Sequence, residues 1–225
     1  VVLPDWETFM NGDLVELPDP SPNQVFLADF RANPEANPLP TPSGKIELFS
    51  ATIDSFGLAD CPGHASWFPP RDQPSEQGPL SLRSGQPKTR LHGQHDDGDY
   101  SRSHKIKGRE PILVHPSDAA ARGIKDDDVL EVFNKRGRCL AGARLTDDIA
   151  QGTVFLWTGA WYDPHDNQTG ALDRHGNPNV LTHDARTSSL TQSPASHSAR
   201  VDLRVWEGAL PAVKAFEQPE MIEEA

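Results

Sequence analysis

Regular alternation of apolar and polar positions is confined to a few short stretches of this chain, most of them between residues 80 and 206. Ile112–Val114 is a short apolar run that stops at Pro116, as a buried strand ended by proline does. From Pro116 the pattern predicts a helix of about one and a half turns. Proline suits its first position, Ser117 and Asp118 put oxygens in the positive first turn, Ala119–Ala121 propagates it, and Arg122 stands at the negative end. Gly123 then supplies a left-handed cap with Ile124 packing back. Val129–Phe133 and Cys139–Leu145 read as two strands joined by a tight turn, Asn134-Lys135-Arg136-Gly137, with Gly137 expected at positive φ. The small residues Ala141, Gly142 and Ala143 leave room for another segment to come close. Leu80–Arg83, Thr153–Trp157 and Ala199–Trp206 complete the strands, the last turning Val201, Leu203 and Val205 inward. Strand, short helix, hairpin and strand at this density predict a compact β-barrel with small helices at its ends rather than a doubly wound sheet.

Elsewhere the pattern is weaker. Residues 1–77 are broken by prolines. A helix is expected at Asp5–Met10, a strand at Val25–Phe30, a turn at Thr41–Gly44 leading into a strand at Lys45–Ser50, and a helix at Ala51–Phe56. The aromatic side chains Trp6, Phe26, Phe30, Phe49, Trp67 and Phe68 need a body to pack on. Residues 95–107 read as a charged, mobile excursion. The stretch 159–179 lacks any period, and a loop of about twenty residues in a compact domain is functional or disordered. Thr187–Gln192 suits a short helix capped by Thr187 or Ser188. The organisation expected is therefore an irregular segment (1–77) belonging to the preceding part of a larger protein, a barrel (78–207), and an acidic tail (208–225). The opening Val1-Val2-Leu3-Pro4 reads as the middle of a longer chain.

Composition sharpens this picture. At 225 residues with 36% hydrophobic content and 21 prolines, one ordinary domain with an appendage fits better than a single large core. A formal charge of −12 argues against nonspecific binding to nucleic acid or an anionic membrane, while leaving room for a local positive pocket. No apolar run reaches the roughly eighteen residues of a membrane-spanning helix. Cys61 and Cys139 have no metal-site spacing and read as unpaired thiols.

The candidate chemistry is modest when residue types are taken alone. His92 with His95, and Asp163 with His165 and Asp166, contain metal-ligand types, but on loops and without a second partner at fixed spacing. The chain has no G-x-S-x-G elbow, no G-x-x-x-x-G-K-[ST] loop and no G-x-G-x-x-G turn. The stretch Ser84–Gln94 sets backbone N–H groups around a glycine beside Lys88, Arg90 and two side-chain amides. It suits a phosphate or a polar heterocycle, and equally a solvated loop.

Six motifs in order alter that balance: Thr41-Pro42-Ser43-Gly44-Lys45-Ile46-Glu47; Arg90-Leu91-His92 with Gln94; Arg109-Glu110-Pro111; His115-Pro116 with Asp118-Ala119 and Arg122-Gly123-Ile124; Gly159-Ala160-Trp161-Tyr162; and Asn177-Pro178-Asn179-Val180-Leu181-Thr182. Together they resemble the C-terminal part of the dimethyl sulfoxide reductase family, biotin sulfoxide and trimethylamine N-oxide reductases in particular. The chain departs from that pattern at Gly93, where relatives carry serine, at Asp184-Ala185-Arg186, which lacks a glycine before Thr187-Ser188, and at Ser193 after Gln192. The resemblance implies a mainly β domain with short helices, a double-psi β-barrel of the aspartate decarboxylase-like kind. It would close over a bis(molybdopterin guanine dinucleotide) molybdenum cofactor shared with the N-terminal domains of the same enzyme. Such enzymes pass two electrons from molybdenum to a small S-oxide or N-oxide and release the oxygen as water. It implies cofactor contacts from Arg90, His92, Gly93, Gln94, Trp161, Asn179 and Gln192: His92 and Gln94 at the pterin and diphosphate, Arg90 at the diphosphate, Asn179 and Gln192 at other polar edges. Trp161 would lie in the neighbouring loop. The metal ligand and the catalytic residues would belong to other domains, none of them to this chain. The other readings are a cofactor-free barrel serving as a binding or assembly module, and a relative of formate dehydrogenase or nitrate reductase. A bacterial source is expected, with periplasm and cytoplasm equally compatible.

Overall fold

The computed structural model describes residues 3–12, 14, 15, 17 and 25–218. The chain divides into two compact units, Val1–Ser66 and Trp67–Ala225.

Among its described residues the first unit carries three short helices. In α1 (Trp6–Asn11) Asp5 accepts the Thr8 N–H, and in α3 (Ala51–Asp54) Ser50 accepts the Ile53 N–H, so both begin where a capping side chain meets an orphan donor. The strand expected at Val25–Phe30 is instead the entry to α2 (Ala28–Ala32): Leu27 turns left-handed at φ 57 and the Ala28 N–H closes onto the Val25 carbonyl. The strand expected at Lys45–Ser50 is also absent. Ile46 and Leu48 alternate with polar neighbours but have no adjacent strand, and they stand 62% and 87% exposed. Alternation without a ladder partner does not make a strand.

The second unit is a closed six-stranded barrel. Its strands are β1 (Leu80–Arg83), β2 (Pro111–Val114), β3 (Val129–Phe133), β4 (Arg138–Leu145), β5 (Thr153–Leu156) and β6 (Arg200–Val205), in the order β1-β5-β2-β4-β3-β6. The β1–β5 and β2–β4 pairs are parallel and the other four antiparallel. Closure leaves no open sheet edge, and Leu82, Ile112, Leu130, Val132, Val154 and Leu156 fill the interior. The β2–β3 connection begins with α5 (Pro116–Ala120), capped as expected by Gly123 at φ 66 with the Ile124 N–H on the Ala119 carbonyl. Gly142 admits Ile106, whose Cβ lies 2.2 Å from where a Cβ on residue 142 would sit. Gly137 is required for a different reason from the one expected. Its φ is not positive; a Cβ there would meet the Val180 carbonyl oxygen at 2.5 Å.

Two other expectations change. Residues 95–107 are no mobile excursion: they contain α4 (Asp99–Ser103), and Asp96 and Ser101 are buried. Ser188 does accept the Leu190 and Thr191 N–H groups as a cap would, but no helix follows, because the Thr187 N–H donates to the Ser193 carbonyl and closes a narrow loop. The tail is ordered against the barrel as far as residue 218, and 219–225 lie outside the described residues. None of the described helices is long and apolar enough to cross a membrane.

The strand directions sort the connections by barrel end. Those running β1–β2 (84–110), β3–β4 (134–137) and β5–β6 (157–199) leave one end; those running β2–β3 and β4–β5 leave the other. Every cofactor contact implied by the resemblance falls in the first set.

The lead-in to β1 is pinned to the β3–β4 hairpin by Asp72, which accepts from Arg136 and from His183 at 2.9 Å. Burial pushes the Asp72 carboxyl up, but the hydrogen bonds from Arg136 and His183 outweigh it and hold the group at about 2. A carboxyl depressed on folding stabilises the fold above its unfolded range and loses that contribution as pH falls through the folded value. Asp72→Asn is expected to flatten the acid limb of stability between about pH 4 and 2 by about 1–2 kcal/mol, read from urea unfolding at each pH.

Candidate functional site

At the end of the barrel that gathers the long connections, two loops meet backbone to backbone. Leu91–Gln94 is a tight turn, with the Gln94 N–H on the Leu91 carbonyl and His92 left-handed at φ 51. Gln86 grips His92 twice: its Oε1 accepts the His92 backbone N–H at 3.0 Å and its Nε2 lies 2.9 Å from Nδ1. An amide nitrogen can only donate, so Nδ1 is the acceptor and neutral His92 carries its proton on Nε2, on an exposed ring. From the β5–β6 connection, the Trp161 indole N–H donates to the Gly93 carbonyl at 2.6 Å. Gly159, at φ +88, lies so close that a Cβ would fall 1.8 Å from the His92 carbonyl oxygen, and a Cβ on Gly93 would press on the Trp161 indole at 3.3 Å. The result is a ledge of His92, Gly93, Gln94 and Trp161.

Beneath the ledge is a buried ion network. The Arg90 side chain, 1% exposed, bonds the Thr158 carbonyl at 2.8 Å, lies 3.0 Å from Glu110 and 3.3 Å from Asp96, while Lys105 reaches both carboxylates at 2.8 and 2.9 Å. Burial pushes Asp96 up, yet Lys105, the Trp161 backbone N–H and Arg90 bring it below the usual carboxylate range. The Arg90 guanidinium is paired with these internal carboxylates and braces the ledge from below. Arg90→Ala would leave two buried carboxylates sharing one lysine, and is expected to cost about 3–5 kcal/mol in urea unfolding, with Lys a poor substitute for the planar fork.

The aperiodic stretch after Trp161 is ordered from within. The buried Asp173 carboxylate accepts the backbone N–H groups of Asp163, His175, Gly176 and Asn177, the last two at 2.7 Å. Burial still holds this carboxyl above its ordinary value. Asp163 pairs with Arg174 and accepts the Lys214 N–H. His175 lies 2.9 Å from the Trp161 carbonyl through Nδ1, which must therefore be the protonated nitrogen. Burial, then Lys105, depress His175 to about 4, and its buried Nε2 has no hydrogen-bond partner among the described residues. Residue types alone gave no sign of Asp96, Lys105 or His175. Asp173, followed by Arg-His-Gly-Asn, does carry an Asx-turn signature.

Asn179 and Gln192 stand away from the ledge. Asn179 is exposed on a 3₁₀ turn (Pro178–Leu181) that rides on the β3–β4 hairpin, tied by the Asn134 side chain to the Leu181 carbonyl at 2.8 Å. Gln192 is exposed on the loop closed by Thr187 and Ser193. They belong to a connection that leaves the same barrel end as the one carrying His92 and Gln94, and among the described residues no hydrogen bond joins their side chains to the ledge. A cavity of about 420 Å³ lined by Pro87, Arg90, Trp157 and neighbours reaches Arg90 but none of these four. Among the described residues no group of three or more His, Cys, Asp and Glu side chains is arranged to hold a metal.

Residues 80–200, from β1 to the start of β6, match the family described as Molydopterin dinucleotide binding domain. The chain belongs to that family. It is 41% identical over 97% of its length to the dimethyl sulfoxide/trimethylamine N-oxide reductase of Cereibacter sphaeroides, covering 27% of that protein. It is likewise 41% identical over 88% of its length to the trimethylamine-N-oxide reductase of Haemophilus influenzae, covering 25% of it. The chain thus spans about a quarter of these relatives. Among solved structures, acetylene hydratase from Pelobacter acetylenicus superposes with a TM-score of 0.58 over 77% of this chain and 25% of its own, at 18% identity, a likeness of fold.

The rim of this molydopterin dinucleotide binding domain fits such a ligand in its chemistry. A pterin and a nucleotide base are flat rings with donor and acceptor edges. The side-chain amides of Gln94, Asn179 and Gln192 and the Nε2 of His92 have no hydrogen-bond partner among the described residues, and all four side chains are exposed. Beside them Gly93 and Gly159 let the backbone come close.

Proposed function

We propose that this chain is the part of a molybdenum oxidoreductase that closes over bis(molybdopterin guanine dinucleotide), and that the whole enzyme reduces S-oxides or N-oxides, biotin sulfoxide being one S-oxide within that class. The observation that carries the reading is the set of uncommitted donors and acceptors at one barrel end, around a ledge fixed from below by buried ions. The two parallel pairs within an otherwise antiparallel barrel support the double-psi form.

In this reading His92 offers its Nε2–H and Gln94 its amide to the pterin and diphosphate part of the cofactor. Asn179 and Gln192 read further polar edges, and the Trp161 face shields the ledge from water. The Arg90, Asp96, Lys105 and Glu110 network keeps these groups in place, so that binding costs little reorganisation. The cofactor, when bound, supplies two-electron exchange with the oxide oxygen. No residue of this chain is assigned as a metal ligand, and the remaining domains of the same polypeptide are the partner that completes the site.

The test uses the full-length protein that carries this chain. Elemental analysis and acid hydrolysis are expected to find molybdenum with a pair of guanine nucleotides for each metal, and a reduced viologen dye should be oxidised when a sulfoxide or amine N-oxide is added. The isolated chain should give no turnover. Full-length protein without molybdenum or guanine would point to the cofactor-free module, and turnover on formate or nitrate alone would place the enzyme with those relatives.

A further inference from the structure

After β6 the chain does not leave the barrel. The Trp206 indole N–H donates to the Ala209 carbonyl, the Pro211 carbonyl accepts from Arg109 at 2.5 Å, and the Lys214 N–H donates to Asp163 at 2.8 Å. Residues 209–217 therefore run back to the rim as a strap, held by single hydrogen bonds. Its end is Phe216, half-buried among three groups. The Trp161 ring meets it edge-on at 5.5 Å between centroids, the His175 ring edge-on at 4.9 Å, and the Arg102 guanidinium of α4 lies 5.3 Å from its centroid.

These neighbours give Phe216 a role beyond filling space. Trp161 forms the outer wall of the ledge and holds the Gly93 carbonyl, and its own carbonyl is held by His175. One ring thus touches both the indole that fixes the ledge and the imidazole that fixes that tryptophan. Among the described residues no other side chain makes a ring contact with Trp161. We propose that the strap is a latch for the ledge, with Phe216 as the residue through which it positions Trp161. The latch stands on its own contacts; its consequence, slower cofactor release, rests on the function proposed above.

The test is hydrogen exchange in the full-length protein, read at the His92, Gln94 and Trp161 amides, whose acceptors are Gln86, Leu91 and Asp96. Phe216→Ala is expected to speed exchange at these amides roughly tenfold, the size of losing two edge-on ring contacts, while the β1–β6 amides keep their rates. Phe216→Leu, which keeps apolar bulk without a ring, should behave like Phe216→Ala and carries the test if the alanine variant fails to fold. Phe216→Tyr should restore protection. In protein isolated with cofactor, guanine nucleotide release should quicken by a similar factor. Unchanged exchange at the ledge overturns the latch, and so does a rise spread evenly over the barrel strands, which marks a merely structural tail. Faster ledge exchange in a full-length protein that holds neither molybdenum nor guanine keeps the latch and removes the cofactor reading.

Discussion

Replacing Gly159 by alanine is expected to strip cofactor from the full-length protein while leaving the barrel folded. Two effects add at this position. The backbone sits at φ +88, where a side chain costs roughly 1–2 kcal/mol. The new Cβ would also lie 1.8 Å from the His92 carbonyl oxygen, a backbone atom that moves only if the Leu91–Gln94 turn moves with it. Opening the ledge by an ångström or more separates the Trp161 indole from Gly93 and shifts His92 and Gln94 together. A loss of about 3 kcal/mol or more in cofactor affinity, over a hundredfold, should follow. Gly152→Ala is the control: its φ is +80, but nothing lies within 4 Å of the added carbon. It should cost about 1 kcal/mol of stability and no cofactor. Molybdenum and guanine content of the purified variants decide the matter.

The second large effect is expected at Asp173. Four backbone N–H groups converge on its carboxylate, with bond lengths between 2.7 and 3.3 Å, and the side chain is fully buried. Asp173→Ala removes every acceptor at once and leaves donors in a site that excludes water. A destabilisation of about 4 kcal/mol is expected in urea unfolding. Asp173→Asn keeps one accepting oxygen and should lose roughly half as much. Because this nest orders residues 163–177, the alanine variant should also raise the exchange rates of the Trp161 and Asp163 amides more than those of the β2–β4 ladder.

The barrel strands are legible because each alternates or runs apolar beside a partner that the fold provides, as Val201 and Leu203 do on β6. α5 is legible because its proline, its acidic first turn and Gly123 are local signals. Ile46 and Leu48 carry the same alternation with no partner, so the pattern alone predicted a strand that did not form. Residues 95–107 look mobile because charges usually face water, and nothing in Asp96 or Lys105 announces that each is buried against the other. Arg90 poses the same problem. A guanidinium near a phosphate-binding loop and one locked to internal carboxylates have identical sequence. The ledge itself came from the family resemblance of its motifs. Bonds such as Trp161 to Gly93 span about seventy residues, and no local pattern encodes them.

The most direct test of the barrel end as a cofactor site is hydrogen exchange of the full-length protein with and without its cofactor. Protection is expected at 86–94, 159–162 and 177–182, with a smaller gain near Gln192, and none at 115–128 or 146–152 on the opposite end. Equal exchange in both states at the first set, or protection confined to the second, would contradict the account.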